Sequence, residues 1–378
     1  MGHSVLDTLT LGYRLLWNRR RELAGAELLV NVPTGAQGVD ARHLLAAVSE
    51  AWPTRAPQLL LALRTPDLLP DLLRHAAPEG PWIVLPASAL ADAALRGQAE
   101  QAQARGLGLV WPGRAGSVCP GLWSAHEGRA LEALPRGQIL DAPKRSVQAA
   151  AALDQREAWA VAGWPVDDTL RELAHAARLP DRVGISRVVR AIEQDASLDR
   201  IEALLAAEPV LSYRFLLHVN ATAVRQRGEI DTVQRGLRVW GLQPVHAWLL
   251  GELAQARSEL DLQPLRAGLG LCARLAAQLL DPGDEEDLRR EVELCALYAW
   301  LDRLLGEPLP AVLTRLPLSQ RIRQALLEHS GPYQPALQIA QAMQSADLRR
   351  VQALCESYGY APQQVNRALL RTLAAPLP

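Results

Sequence analysis

The sequence predicts a chain of two unlike parts, an α/β first half and an all-helical second half. Two observations carry this. Short, continuous apolar runs alternate with helix-patterned segments as far as about residue 165, and beyond Asp167 the strand signal stops while leucines recur at helical spacing. The length of 378 residues is enough for two or three domains with full cores.

The first half carries six runs that read as short buried strands: Ala26–Val32, Leu59–Leu63, Trp82–Leu85, Leu107–Trp111, Gln138–Leu140 and Trp159–Ala162. Between them lie Ala-, Leu-, Arg- and Gln-rich segments such as Ala41–Ala51, Pro66–Ala76 and Ala87–Ala104. An apolar run with no polar alternation is buried on both faces. A helix after each run implies parallel strands with crossover helices, hence a barrel or an open doubly wound sheet. In the second half Pro180, Pro209, Pro244, Pro264, Pro282, Pro308, Pro332 and Pro362 punctuate the leucine pattern as turn or first-turn residues. The domains are expected at 1–170 and 175–378, with no internal repeat or low-complexity linker between them.

Composition excludes several classes. Apolar residues make up 49% and the net charge is −1, so no cationic face marks the chain for nonspecific nucleic-acid binding. Arg19–Arg21 is too short a run to count. No apolar stretch approaches the roughly 18–20 residues of a membrane span. The opening MGHSVLDTLT lacks a charged n-region with an apolar core, and Leu6 stands where a myristoylation signal needs Ser or Thr. A cytoplasmic protein is expected. Cys119, Cys272, Cys295 and Cys355 form no CxxC pair and read as free thiols rather than zinc ligands. Lys144 is the only lysine and Phe215 the only phenylalanine. The choice of Arg over Lys at any one position therefore carries little information.

The most informative stretch is Ile201–Gly251, in which two amphipathic helices flank Val219-Asn220, a polar turn follows, and an apolar helix ends at Gly241. It resembles the HDOD domain, a helical module related to HD-type metal phosphohydrolases but without their metal ligands. None of the eight histidines here is followed by Asp, so the adjacent His-Asp pair of the HD enzymes is missing. The segment Leu297–Met343 is similar to the C-terminal helices of HDOD proteins.

A second resemblance lies at Gly12–Val30, which is similar to the opening of EAL domains, hydrolases of cyclic di-GMP. In their Glu-x-Leu-x-Arg strand, Glu27 and Leu29 match, and Asn31 stands in place of the Arg. Trp111 and Pro112 occupy the places of the family's metal-binding Asp pair, with Gly116 kept. At Gln138–Asp141 the Asp survives as Asp141, and Ile139 replaces the lysine. At Ala162–Val166 only Gly163 is kept from a Gln-Gly pair. Two-metal phosphodiester hydrolysis needs several carboxylates to hold the cations, and Glu27 with Asp141 cannot hold two. The resemblance thus implies a degenerate (β/α) barrel followed by an α-helical HDOD bundle. At about 165 residues the barrel is short of the roughly 250 of a typical one, so some helices are expected to be missing.

Together the two resemblances imply a bacterial signal-transduction protein of the EAL–HDOD kind. It is expected to be no enzyme, to need no metal or cofactor, and to act by contact with a protein partner in cyclic di-GMP-linked control. Binding of the dinucleotide without hydrolysis is the alternative. Asn220 is read as satisfying backbone groups where a helix ends, Pro209 as a first-turn residue, and Gly241 as a helix terminator. Trp240 and Trp248, eight apart, share a helical face only if the helix is unbroken, and they are the candidate interaction residues. His218, His246 and His329 read as ordinary histidines. His126-Glu127 lacks an HExxH spacing, and the acidic Asp281–Glu286 lacks the ligand spacing of a calcium loop.

Overall fold

The computed structural model describes residues 5–33, 39–53, 55–114, 119–124, 134–227, 229–281 and 285–375. Its contacts form two compact units, Met1–Asp168 with Gln338–Pro378, and Thr169–Leu337. The helices beyond 338, expected in the helical part, belong by their contacts to the barrel unit.

The first unit is built on eight strands: β1 (Thr10–Trp17), β2 (Leu23–Asn31), β3 (Gln58–Leu63), β4 (Trp82–Val84), β5 (Leu109–Val110), β6 (Leu122–Ser124), β7 (Ile139–Asp141) and β8 (Ala160–Ala162). Their order in the sheet is β5-β4-β3-β2-β1-β8-β7-β6. β1 is antiparallel to both its neighbours, and the other ladders are parallel. The two edges nearly meet. Pro112 and Leu122 form a parallel bridge, Gly113 N donates to Leu122 O at 2.7 Å, and Leu122 N donates to Trp111 O at 2.7 Å. The sheet is a nearly closed barrel, one of the two arrangements that the apolar runs imply. Among the described residues between β5 and β6 there is no helix.

The alternation of a strand divides its residues between the two faces of the barrel wall. Leu16, Leu60, Val84, Val110, Ile139, Ala160 and Ala162 pack together on the inner face. On the outer face Leu140 and Val161 pack against Ala149, Ala152 and Leu153 of the helix Ser146–Asp154. Each fully buried Leu or Val contributes roughly 1.5–3 kcal/mol of transfer free energy. Two strands escaped the composition pattern, β1, whose apolar run is interrupted by Arg14, and the three-residue β6.

The two ends of the chain meet on Asn366, 2% exposed in the helix Pro362–Ala374. Its Nδ2 donates to Leu6 O at 2.9 Å and Leu9 O at 2.8 Å, and its Oδ1 accepts from Leu11 N at 3.2 Å. One buried amide thus satisfies three backbone groups at the entry to β1.

The second unit is helical. Side-chain caps start its helices: Asp181 for Arg182–Glu193, Ser197 for Leu198–Ala206, Thr232 for Val233–Trp240 and Ser319 for Gln320–Leu327. Asp181 does more than cap. Its side chain, 4% exposed, meets Arg266 Nη1 at 2.9 Å and accepts from Gln263 Nε2 at 3.2 Å. That ties the start of one helix to Gln263–Leu280. Burial holds the neighbouring Glu208 carboxyl above the usual range, against the pull of Arg266.

Pro209 is the first residue of the helix Pro209–Arg227, a position where its missing N–H costs nothing. Asn220 lies inside that helix rather than at its end. Its Nδ2 donates to Leu216 O and Ile230 O, both at 2.8 Å, and Ile230 N donates to its Oδ1 at 2.9 Å. The amide fixes the returning chain against the helix. Asn220→Ala strands buried backbone groups at Ile230, so we expect a loss of about 2 kcal/mol. This should appear as a lower urea midpoint with an unchanged slope, and an unchanged midpoint would contradict this role.

Candidate functional site

The polar centre of the barrel consists of three residues, of which the sequence reading singled out two. Leu16 faces the barrel interior, and strand alternation puts Arg14 on the same face. Arg14 pairs in register with Glu27 of β2. Its guanidinium lies 2.6 Å from Glu27 Oε2 and, through Nη1, 2.6 Å from Oδ1 of Asp141 at the end of β7. The structure therefore does bring Glu27 and Asp141 together, around a cation supplied by the chain itself.

Burial differs across the trio. The Glu27 side chain is 4% exposed, Arg14 24% and Asp141 21%. Burial pushes the Glu27 carboxyl above the usual carboxylate range, and Arg14 pulls the other way. For Arg14 burial lowers the pKa, but Glu27 and Asp141 outweigh it and the net direction is upward. An ionised Glu27 at this depth depends chiefly on Arg14, with a smaller pull from Arg64. The trio sits towards the end of the barrel where the parallel strands finish, the end at which such barrels carry their sites.

In this structure the two carboxylates face a guanidinium rather than each other. Both carboxylates are already bound to a guanidinium, and Trp111 is fully buried with its indole Nε1 donating to Gln103 at 3.0 Å. Among the described residues no group of three or more His, Cys, Asp or Glu could hold a metal ion. Gly116 and His126-Glu127 lie outside the described residues, as does the middle of the acidic stretch Asp281–Glu286. Gly163 takes a φ of +75°, a conformation that favours glycine. Arg14 was the residue missed. A lone cation inside the apolar strand TLGYRLLW was the available signal, because a buried charge needs a partner.

A second cluster lies in the helical unit. Gly241, with φ +85°, closes Val233–Trp240 and opens Leu242–Gln255, so Trp240 and Trp248 belong to different helices. Their rings nevertheless meet, with centroids 6.3 Å apart. Both pack on Phe215, at 6.2 and 5.6 Å, and on His218, at 4.8 and 5.9 Å. Phe215 is buried, whereas His218, Trp240 and Trp248 are half-buried. Gly236 makes room, since a Cβ there would stand 2.7 Å from the Phe215 ring. Among the described residues, His218, His246 and His329 form no group that could hold a metal ion. His246 faces Glu193 at 3.4 Å, and His329 sits at a left-handed position with φ +49°.

No family model matches the chain. Over 193 residues, half of this chain, it is 25% identical to the cyclic di-GMP phosphodiesterase CdgJ of Vibrio cholerae serotype O1. Over 172 residues, 44% of the chain, it is 23% identical to the uncharacterized protein YuxH of Bacillus subtilis. These matches cover 44% and 38% of the two relatives, so the chain spans less than half the length of either. Among solved structures the MmoQ response regulator of Methylococcus capsulatus aligns with a TM-score of 0.40 and 16% identity, over 51% of this chain and 98% of its own.

The expectation that the chain is no enzyme is overturned by the first of these relatives, which is named as a phosphodiesterase. At 25% identity it leaves the catalytic status of this chain unresolved.

The trio makes a definite prediction. Arg14→Met removes the countercharge of a buried carboxylate, and the stability of the barrel unit should fall by about 3 kcal/mol. Urea denaturation checks this, and a loss below about 0.5 kcal/mol would mean that the charge is not held as described.

Proposed function

We propose that the chain is a cytoplasmic bacterial regulator of the EAL–HDOD kind, working in cyclic di-GMP-linked signal transduction through contact with a protein partner. The observation that carries this reading is the aromatic face of the helical unit. Trp240 and Trp248 come from separate helices and are held edge to face over Phe215, with His218 beside them. Preassembled, half-buried aromatic rings supply contact area at little conformational cost, which is the chemistry of interface anchors. The link to cyclic di-GMP is supported by the name of the Vibrio relative and by the two motif resemblances. No described helix is long and apolar enough to cross a membrane.

A second reading, uptake of the dinucleotide by the barrel, is favoured by one observation. Arg14 keeps a partly exposed guanidinium towards the barrel end, and Arg64, whose charge acts on Glu27, adds a second cation to attract phosphate.

Two experiments test these readings. Calorimetric titration with cyclic di-GMP and magnesium, followed by chromatography of the same mixture, separates binding from cleavage. Heat without linear product supports uptake by the barrel, linear product makes the barrel a hydrolase, and neither leaves the helical face as the working surface. For that face, a partner cross-linked to the native protein should be lost on Trp248→Ala, whose cost to binding we expect at about 2 kcal/mol or more. Retention of the partner by a folded Trp248→Ala protein would remove the aromatic face from the account.

A further inference from the structure

The helices Leu348–Tyr358 and Pro362–Ala374 pack on the start of β1. A Cβ on Gly12 would lie 2.6 Å from Leu348 Cδ2, and Asn366 holds Leu6, Leu9 and Leu11. The packing is extensive, and it encloses one cavity. A space of about 280 Å³ lies against both helices and the segment that leads into β1. Leu9, Val351, Cys355 and Val365 in its wall are each at most 7% exposed, and Pro33 adds a further apolar surface. A cavity of roughly 150 Å³ already admits a benzene ring, so this one has room for a ring with a short polar arm.

The polar groups of the wall set the charge of what fits. Two of them are committed to the chain itself. The Asn366 amide spends both N–H bonds and its carbonyl on backbone groups, and the Thr8 hydroxyl donates to Val5 O at 2.9 Å. The ionisable carboxyls are Asp7, half-buried, and Glu356, exposed. Among the described residues no Lys, Arg or His lines the space. Helix dipoles do not reverse this sign. Leu348–Tyr358 ends where Pro362–Ala374 begins, beside the cavity, so the negative end of one offsets the positive end of the other. The remaining polar group is the Tyr360 phenol, whose pKa burial pushes up, so it stays neutral and can donate or accept.

We propose that this cavity binds a small organic cation with an apolar body, an aromatic or alicyclic amine, whose ring lies against Leu9, Val351 and Val365 and whose ammonium faces Asp7 and Glu356. An apolar pocket with a few polar groups at its edge is the usual form of a small-molecule site. The carboxylates decide the sign, because a cation gains from them and an anion loses. A phosphate-bearing dinucleotide is repelled by the same two groups, so this site stands or falls separately from the cyclic di-GMP reading. The ligand touches the approach to the strand that carries Arg14 and both helices, and its occupancy stabilises the first unit by mass action.

Benzylamine, benzyl alcohol and benzoate share one ring and differ in the charge of the head group. Titrated into the full chain and followed by saturation-transfer NMR, benzylamine should bind with a roughly millimolar Kd. It should bind at least about tenfold more tightly than benzoate, with benzyl alcohol between them. Cys355 locates the site. Burial pushes its thiol up to about 11, so alkylation is run at mildly alkaline pH and read by mass spectrometry. Benzylamine should slow Cys355 in proportion to occupancy and leave Cys119, Cys272 and Cys295 unchanged. Asp7→Asn combined with Glu356→Gln should erase the advantage of the amine over the alcohol. Gln352→Trp, at a half-exposed position of the wall, should weaken all three ligands at least about tenfold. An unchanged thermal midpoint shows that each variant folds. On the native chain alone, benzoate binding as tightly as benzylamine would overturn the proposal, and so would a Cys355 left unprotected at saturating benzylamine. Benzylamine binding unchanged in a folded Gln352→Trp protein would do the same.

Discussion

A guanidinium inside a barrel is the constraint on which this structure turns. The cluster on the inner face is apolar, built of Leu, Val, Ile, Ala and Cys119, and such a lining holds a charge only if countercharges lie within bonding distance. Arg14 meets this with Glu27 from the neighbouring strand and Asp141 from β7, one strand beyond its other neighbour β8. The pairs fix relative positions of β1, β2 and β7.

The helical unit is organised by a different device, backbone groups satisfied by buried side chains. Asn220 holds Ile230, and Asp181 caps one helix while gripping Arg266 of another. Gly241 then sets the angle between the helices bearing Trp240 and Trp248. Its positive φ breaks the helix that would have carried both rings at regular spacing. The rings meet because each helix packs on the Phe215 and His218 face of Pro209–Arg227. Tertiary packing achieves what local periodicity does not.

Much of the fold was legible in the sequence. The apolar runs at Leu59–Leu63, Trp82–Leu85 and Trp159–Ala162 lie on β3, β4 and β8 because a strand buried on both faces shows no alternation. The switch to helical spacing after Asp167 marks the helical unit equally well. β6 was not legible because three residues carry no periodicity, and β1 because Arg14 interrupts its apolar run. The return of residues beyond 338 to the barrel was out of reach. It rests on Asn366 and Leu348 meeting partners more than three hundred residues away, and no local pattern encodes a contact at that distance. For the site, Glu27 and Asp141 were read as remnants of a metal centre. The residue that decides their chemistry, Arg14, was hidden because one strand position says nothing about which other strands it faces once a barrel closes.

The central claim is that Arg14 and Glu27 act as one buried unit. A double-mutant cycle on Arg14→Met and Glu27→Leu, followed by urea denaturation, measures it most directly. The account predicts a coupling of about 2 kcal/mol or more, with the double variant losing less than Arg14→Met alone, because only the partly exposed Asp141 is then left without Arg14. Additive losses, with a coupling within about 0.5 kcal/mol of zero, would contradict it.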